Sequence, residues 1–180
     1  MNGKKHVAII GMPGSGKSTA GLILSKLMRL PFIDTDCYII QREGKTVAEI
    51  FAKHGEARFR ELEKQALLEI IEGEPAVIST GGGMPCFHSN MELINGFALS
   101  IYLEASPQKL FEHLKRDKKR PLVAGKTDGE LRDYINTCLE QRRQYYEKAD
   151  ITVHVGDTPT ALIAANLYDT ISLSGQQAGR

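Results

Sequence analysis

One stretch near the N-terminus constrains this chain more than any other: residues 11–19, which read GMPGSGKST. They fit G-x-x-x-x-G-K-[ST], the pattern of a phosphate-binding loop. Residues 6–10, HVAII, suit a buried parallel strand before the loop, and apolar residues at helical spacing from Gly21 to Leu30 follow it. The loop therefore lies between a strand and a helix, which is the context that its chemistry requires.

Each residue type in this loop has a physical role in holding phosphate. Glycines fold the backbone tightly and turn its N–H groups inward, and the helix N-terminus adds partial positive charge. Lys17 would reach the β- and γ-phosphates of a nucleotide, and the Ser18 hydroxyl would ligate Mg²⁺. A chance glycine-rich turn is the alternative, and the register of strand, lysine and serine argues against it. The sequence thus predicts a nucleotide site at Gly14, Ser15, Gly16, Lys17, Ser18 and Thr19.

Composition and charge exclude several classes of protein. With 180 residues, 42% hydrophobic and 25% charged, the chain suggests one globular domain. A net charge of +1 gives no reason to expect nucleic-acid or membrane binding, and no apolar run approaches the about 18 residues of a membrane span. The three cysteines fit neither a disulfide framework nor a zinc site. We expect a cytoplasmic protein without a signal peptide, and a monomer, because no exposed apolar stripe is evident.

Short apolar runs alternate with helical patterns five times along the chain. This order predicts an α/β fold with a five-stranded parallel sheet, helices on both faces and right-handed crossovers. The domain is expected to cover residues 1–173, with substrate-binding helices at about 36–63, a mobile basic lid at about 115–126, and a disordered polar tail at 174–180. The predicted strands are residues 6–10, 31–34, 76–79, 97–103 and 151–155.

Two pairs of charged residues indicate what could accept a phosphoryl group. Asp34 and Asp36 follow the second strand, where one could support Mg²⁺ while the other binds an attacking hydroxyl and takes its proton. The alternative is an Asp that caps the next helix. Arg60 and Glu63 share one helix face, so Glu63 can hold Arg60 towards a carboxylate or phosphate. A solvated surface pair is the alternative here.

Three glycines and two arginines complete the set. Gly81, Gly82 and Gly83 follow the third strand and would allow close backbone approach and free N–H groups at a ligand, although a flexible turn is the alternative. Arg120 in the lid could neutralise charge on a transferring phosphoryl group, and Arg142 lies on a long helix. Each arginine taken alone is more often a surface charge.

Taken together, these motifs resemble the shikimate kinases over nearly the whole chain. The resemblance implies the three-layer sandwich that phosphate-loop kinases of the nucleoside monophosphate kinase type share. It also implies transfer of the γ-phosphoryl group of ATP to the 3-hydroxyl of shikimate, with Mg²⁺, in the route to chorismate and aromatic amino acids. The residues that carry the resemblance are 11–19, Asp34-Thr35-Asp36, Phe59-Arg60-Glu61-Leu62-Glu63, Gly81-Gly82-Gly83, Arg120-Pro121-Leu122, and Arg142 ahead of Tyr146 and Ala149-Asp150.

The resemblance also implies a role for individual residues. It implies that Asp34 lies near the metal, that Ser18 ligates it, and that catalysis rests on Asp36, Lys17 and Arg120. Shikimate has one carboxylate and three hydroxyls; two arginines suit the former, and an acid with a backbone N–H suits the latter. The implied shikimate-binding residues are Asp36, Arg60, Gly81, Gly82, Gly83 and Arg142.

Two departures from the family pattern leave alternatives open. The lid is short, so the adenine contact is assigned to Arg116, and the shortened spacing from Arg142 to Asp150 lets Arg143 compete with Arg142. A kinase of another small polyol, such as gluconate, is the second candidate function. A nucleotide-binding regulatory module without turnover is the third, and the presence of Lys17, Asp36 and Arg120 argues against it.

Overall fold

The centre of the fold is a five-stranded sheet in which every strand pair is parallel. The computed structural model describes residues 4–116 and 125–177, with side chains up to residue 173. The strand order is β2-β3-β1-β4-β5. The five strands agree with the predicted runs to within two residues at each end, which confirms the predicted α/β fold. They are β1 His6–Ile10, β2 Phe32–Asp34, β3 Val77–Ser79, β4 Ala98–Ala105 and β5 Ile151–Val155.

Helices follow each strand and complete the layers on the sheet. Thr46 and Thr127 both form capping boxes. In each, the threonine hydroxyl accepts a hydrogen bond from the backbone N–H of the glutamate three residues later, and the carboxylate of that glutamate accepts one from the threonine backbone N–H. The helices are α1 Lys17–Met28, α2 Thr35–Glu43, α3 Val47–Glu72, α4 Asn90–Phe97, α5 Pro107–Arg116, α6 Asp128–Tyr146 and α7 Thr160–Gln177, with a 3₁₀-helix at Met84–Cys86.

Helix α3 and helix α7 differ from the predicted elements. The sequence predicts two helices where the structure has α3, kinked at Gly55, whose φ of 78° and ψ of 173° interrupt the helix. The disordered tail predicted from residue 174 is wrong for residues 174–177, because α7 continues to Gln177. Earlier turns of α7 pack against α1, and extending an existing helix costs much less than starting one.

Most of the predicted lid lies outside the described residues. Residues 117–124 are among those not described, and Arg120 is one of them. The mobile lid and the phosphate contact of Arg120 therefore stay predictions. The last turn of α5 on one side and residues 125–127 on the other are described.

Two separate apolar clusters stabilise the parts that meet at the site. The main cluster spans the sheet and several helices, and it contains residues 7–10 of the middle strand β1, all five residues of which are buried. A second cluster joins α2 and α3, and we call it the satellite core. It consists of Ile39, Ile50, Phe59, Leu62 and Ala66, and all of these except Ala66 lie within the predicted substrate-binding helices at about 36–63.

His6, at the start of β1, connects stability to pH. The imidazole is buried, and its Nδ1 accepts the N–H of Ala76 at 3.2 Å, which requires that Nδ1 carry no proton. Burial lowers the pKa of His6, the nearby Ile71 backbone raises it, and the charge of Lys5 lowers it again, so that the net shift is downward. The folded state thus disfavours the charged ring. This contribution to stability is complete above the unfolded pKa of about 6.5 and is lost as the pH falls below it.

We expect His6→Gln to lose part of this pH dependence, because glutamine takes up no proton. The measurement is the free energy of unfolding in urea at about pH 7.5 and about pH 5, compared with the unmodified protein. His54→Gln, at an exposed position on α3, is the matched control and should keep the original dependence. An equal loss of stability on acidification in all three proteins would show that His6 is not the source of this pH dependence.

Candidate active site

The loop between β1 and α1 is shaped for phosphate. Gly16 precedes α1 in the left-handed conformation, with φ of 94°, which glycine adopts most readily. The Met12 carbonyl oxygen accepts the Ser15 N–H at 3.2 Å and Lys17 Nζ at 2.8 Å. Ser15 Oγ is buried without a hydrogen-bond partner in the described part of the chain, and Thr19 is exposed in the first turn of α1. Backbone N–H groups, an ammonium and a hydroxyl therefore converge at the helix N-terminus.

Oxygen atoms meet where the first turn of α1 faces β2 and β3. Ser18 Oγ donates to Asp34 Oδ2 at 2.8 Å and lies 3.3 Å from Ser79 Oγ. The other Asp34 oxygen, Oδ1, accepts the backbone N–H groups of Asp36 and Cys37 and so caps α2. Capping and metal binding are compatible for Asp34, because each uses a different oxygen.

This donor set suits magnesium better than a metal that needs a closed cage of side chains. Magnesium is commonly bound through one or two carboxylates together with substrate phosphates and water. Within residues 4–116 and 125–177 there is no cluster of three or more His, Cys, Asp or Glu that could hold a metal. One hydroxyl and one carboxylate beside a phosphate loop fit the pattern expected for magnesium.

The Arg60 guanidinium is held by two carboxylates and an aromatic ring. Nη1 donates to Glu63 Oε2 at 2.6 Å, while Nη2 and Nε donate to Glu56 Oε1 at 2.7 and 3.1 Å. The centroid of the Phe87 ring lies 4.3 Å from Cζ, within cation–π range. Arg60 is 8% exposed and Glu63 1%, so the predicted pair is buried and is not a solvated surface pair.

The charges around Arg60 act on one another. Burial raises the pKa of Glu63, Arg60 lowers it by charge and hydrogen bond, Asp36 raises it and Arg142 lowers it, and the net shift is upward. Burial lowers the pKa of Arg60, but Glu63 and Glu56 more than offset this, so the guanidinium stays charged. Asp36 and Glu63 therefore lie in one electrostatic cluster with the two arginines predicted from sequence, Arg60 and Arg142.

The glycine triplet, residues 81–83, lies against this cluster without room for side chains. A Cβ on Gly81 would lie 2.6 Å from Asp36 Oδ1 and 2.9 Å from Glu63 Oε1, closer than real Cβ atoms come. The Gly81 N–H donates to Thr35 Oγ1 at 2.8 Å. The prediction that the N–H groups of the triplet are free therefore does not hold for Gly81, because that group is used within the protein.

The next two glycines are equally close to their neighbours. A Cβ on Gly82 would lie 2.6 Å from Cδ of Pro13, which belongs to the phosphate loop. A Cβ on Gly83 would lie 2.5 Å from Nη1 of Arg60. Packing therefore requires glycine at these positions, and the alternative of a flexible turn does not explain the triplet.

Helix α6 brings Arg142 and Tyr146 to the place where the phosphate loop, the glycine triplet and Arg60 meet, which we call the crevice. The Tyr146 hydroxyl donates to the Gly82 carbonyl oxygen. Burial raises the pKa of Tyr146, while the Arg142 guanidinium beside the phenol lowers it. Burial also raises the pKa of Cys86 to about 11, against the charges of Arg142 and Arg60. Arg142 thus shares the cluster that contains Arg60.

A cavity of about 790 Å³ opens beside the phosphate loop, between the carboxyl ends of β4 and β5. His113 on α5 lines it, and its Nδ1 lies 2.8 Å from the Gly14 carbonyl oxygen. Arg143 lines this cavity and is exposed, so the structure separates it from Arg142. Arg116, assigned to adenine from sequence, is exposed at the end of α5 and is not part of the cavity lining.

Sequence reasoning missed Glu56, and it missed several contacts between residues that the motifs already contain. Glu56 precedes Arg60 by four residues, a helical spacing that could have revealed it. Thr35, Pro13 and Tyr146 contact the triplet from distant parts of the chain, and no local pattern announces such contacts.

Comparison with known proteins agrees with this geometry. A family model described as Shikimate kinase matches residues 13–172. A shikimate kinase of Bacteroides fragilis is 46% identical over 146 residues, which cover 81% of this chain and 82% of that protein.

Solved structures support the same relationship. The crystal structure of a shikimate kinase from Bacteroides thetaiotaomicron has a TM-score of 0.87 and 39% identity, over 93% of this chain and 98% of that one. The structure of the Acinetobacter baumannii shikimate kinase in complex with shikimate has a TM-score of 0.87 and 27% identity, over 95% of this chain and 94% of that one. The chain therefore belongs to the shikimate kinase family, and its reaction is the ATP-dependent phosphorylation of shikimate.

Proposed function

We propose that the crevice aligns shikimate along the glycine triplet, with its acceptor hydroxyl at Asp36 and its carboxylate at the two arginines. One observation carries this proposal. Asp36 lies over the first glycine of the triplet, Pro13 of the phosphate loop over the second, and Arg60 over the third. Consecutive Cα atoms are about 3.8 Å apart, so the three glycines span at most about 7.6 Å. This span matches a six-membered ring with a carboxylate at one end and hydroxyls at the other.

The carboxylate of shikimate would be held by Arg60 and Arg142. The Nε and Nη2 edge of Arg60, which binds a carboxylate in a bidentate manner, is taken up by Glu56. The Glu56 side chain is 57% exposed and can leave this edge, whereas Glu63 is buried and keeps Nη1 in place. We infer that the substrate carboxylate replaces Glu56 when shikimate binds.

Asp36 would act on the acceptor hydroxyl. Its carboxylate accepts a hydrogen bond from the 3-hydroxyl of shikimate. It takes up that proton as the hydroxyl oxygen bonds to the γ-phosphorus and the bond between that phosphorus and the β–γ bridging oxygen breaks, which releases ADP. Phosphoryl transfer requires little covalent chemistry of the protein, so orientation and charge account for most of the catalysis.

ATP would lie across the phosphate loop. Lys17 exchanges its bond to the Met12 carbonyl for oxygens of the β- and γ-phosphates, and Arg120 remains the proposed second cation for these phosphates. The nucleoside end would extend towards the cavity that His113 and Arg143 line, because His113 also contacts the phosphate loop at the Gly14 carbonyl oxygen.

Magnesium would be held by Ser18 and Asp34, through the hydroxyl and the carboxylate oxygen that meet beside the loop. When bound, the ion supplies positive charge that offsets the negative charge of the β- and γ-phosphates. Asp34 would keep its capping bonds to α2 with its other oxygen.

We also propose that the protein is a cytoplasmic monomer. Cys37, Cys86 and Cys138 are free thiols, which suits a reducing compartment. In the described ranges 4–116 and 125–177, no helix combines the length and the apolar character that crossing a membrane requires. Light scattering during size-exclusion chromatography should give the mass of one chain, and a mass of two chains would contradict the monomer.

Replacing Asp36 with Asn should lower kcat by at least about 100-fold, because an amide cannot take up the proton. ATP binding should persist, since the phosphate loop is unchanged. ADP release with saturating Mg-ATP and shikimate measures turnover, gluconate serves as the inactive acceptor, and calorimetry measures nucleotide binding. Asp133→Asn, on the exposed surface of α6, is the control. Normal turnover in the Asp36 variant would exclude the proposed proton transfer.

Adding a methyl group at Gly83 should displace Arg60 and weaken shikimate binding. The new Cβ would lie 2.5 Å from Arg60 Nη1, so the guanidinium must move. We expect Gly83→Ala to raise the shikimate KM by about tenfold or more, and Arg60→Ala by about 100-fold, with little change in the ATP KM. Both constants are obtained from initial rates of ADP release with one substrate varied at a time.

Two matched variants control for general effects of these changes. Gly96→Ala adds the same methyl group where nothing lies within 4 Å, and Arg58→Ala removes an exposed arginine of the same helix. Both should keep the original shikimate KM. A shikimate KM that is unchanged in Gly83→Ala and in Arg60→Ala would overturn the placement of the carboxylate.

A further inference from the structure

Tyr146 is a fully buried residue that has no part in the proposed reaction steps. It is the last residue of α6 and is 0% exposed. Its ring packs against Tyr102 of β4, with 5.1 Å between ring centroids. Burying a phenol is unfavourable unless its hydroxyl finds a hydrogen-bond partner. The identity of that partner is therefore informative.

The partner is the middle of the glycine triplet. The Tyr146 hydroxyl donates to the Gly82 carbonyl oxygen and also lies 3.8 Å from Met12 Sδ. Gly82 packs on its other side against Pro13, since a Cβ there would lie 2.6 Å from the proline ring. The backbone at Gly82 is thus fixed between the phosphate loop and α6.

Both halves of the proposed site connect to this phenol. On the phosphate side, Met12 accepts the bond from Lys17 Nζ through its carbonyl oxygen. On the shikimate side, Arg142 lies one helical turn before Tyr146, and its charge acts on the phenol. Burial raises the pKa of Tyr146, so the hydroxyl keeps the proton that it donates.

We propose that Tyr146 is a positioning residue that fixes Gly82 and Arg142 relative to the phosphate loop and so aligns the acceptor hydroxyl with the γ-phosphoryl group. Reacting atoms must approach to about 3–3.5 Å, and small displacements are costly in rate. Without the phenol, the Gly82 carbonyl loses its donor and the backbone along which shikimate lies is free to shift. This inference rests on the substrate placement proposed above.

The test compares Tyr146→Phe with Tyr102→Phe in the full-length enzyme. Each change removes one buried hydroxyl and leaves a ring in place, and the two rings are neighbours. We expect Tyr146→Phe to raise the shikimate KM by about tenfold and to lower kcat, because a buried carbonyl loses its hydrogen bond. The KM for ATP should change by less than about twofold, because the weak sulfur contact is the phenol's only direct bond to the phosphate loop in the described part of the chain.

Tyr102→Phe should leave both KM values and kcat within about twofold of the unmodified enzyme, since a tenfold effect requires a lost interaction with the site. Melting temperatures measured by circular dichroism report the loss of stability in each variant separately from the kinetics. A purely structural role for Tyr146 predicts a lower melting temperature and unchanged KM values in Tyr146→Phe, and this result would overturn the inference.

A double variant tests whether Tyr146 acts through Arg142. If it does, the effects of Tyr146→Phe and Arg142→Ala on the shikimate KM will be smaller in combination than the product of the single effects. A full product would contradict action through Arg142.

Arg60→Ala, measured in parallel, separates the two proposals. If Arg60→Ala leaves the shikimate KM unchanged, the substrate placement fails. If Arg60→Ala raises it and Tyr146→Phe does not, only the role of Tyr146 fails.

Discussion

Three consecutive residues without side chains determine how the rest of the site is arranged. Because the glycine triplet has no Cβ atoms, Asp36, Pro13 and Arg60 approach its backbone more closely than any side chain would permit. The parallel sheet puts the triplet at the carboxyl end of β3, beside β1 and its phosphate loop. Acid, loop and arginine are therefore spaced by the covalent geometry of one short backbone segment, which is far stiffer than side chains reaching across a cleft.

The two carboxylates on Arg60 differ in what they contribute. Glu63 is buried, and the guanidinium offsets part of the cost of burying its charge, so removing either partner would leave its charged counterpart uncompensated inside the protein. Glu56 is largely exposed, and water can solvate it as soon as it leaves Arg60. One carboxylate thus fixes the arginine, and the other is exchangeable.

Features of this protein that depend on neighbours in sequence could be predicted, and those that depend on topology could not. The phosphate loop, both capping boxes and the Arg60–Glu63 pair each involve residues a few positions apart, where spacing alone indicates contact. The bonds from Gly81 to Thr35 and from Tyr146 to Gly82 span 46 and 64 positions. Nothing local encodes them, which is why the sequence does not predict that the Gly81 N–H is used within the protein.

The separation of the satellite core from the main cluster has a consequence for dynamics and for sequence variation. A unit with its own small apolar core can open and close while the sheet remains folded, and amide hydrogen exchange would detect it as a region of lower protection. Phe59 belongs to that core and is adjacent to Arg60, so loosening it would disturb catalysis before it unfolded the protein. We therefore expect substitutions that loosen the satellite core to lower turnover before they lower the yield of folded protein.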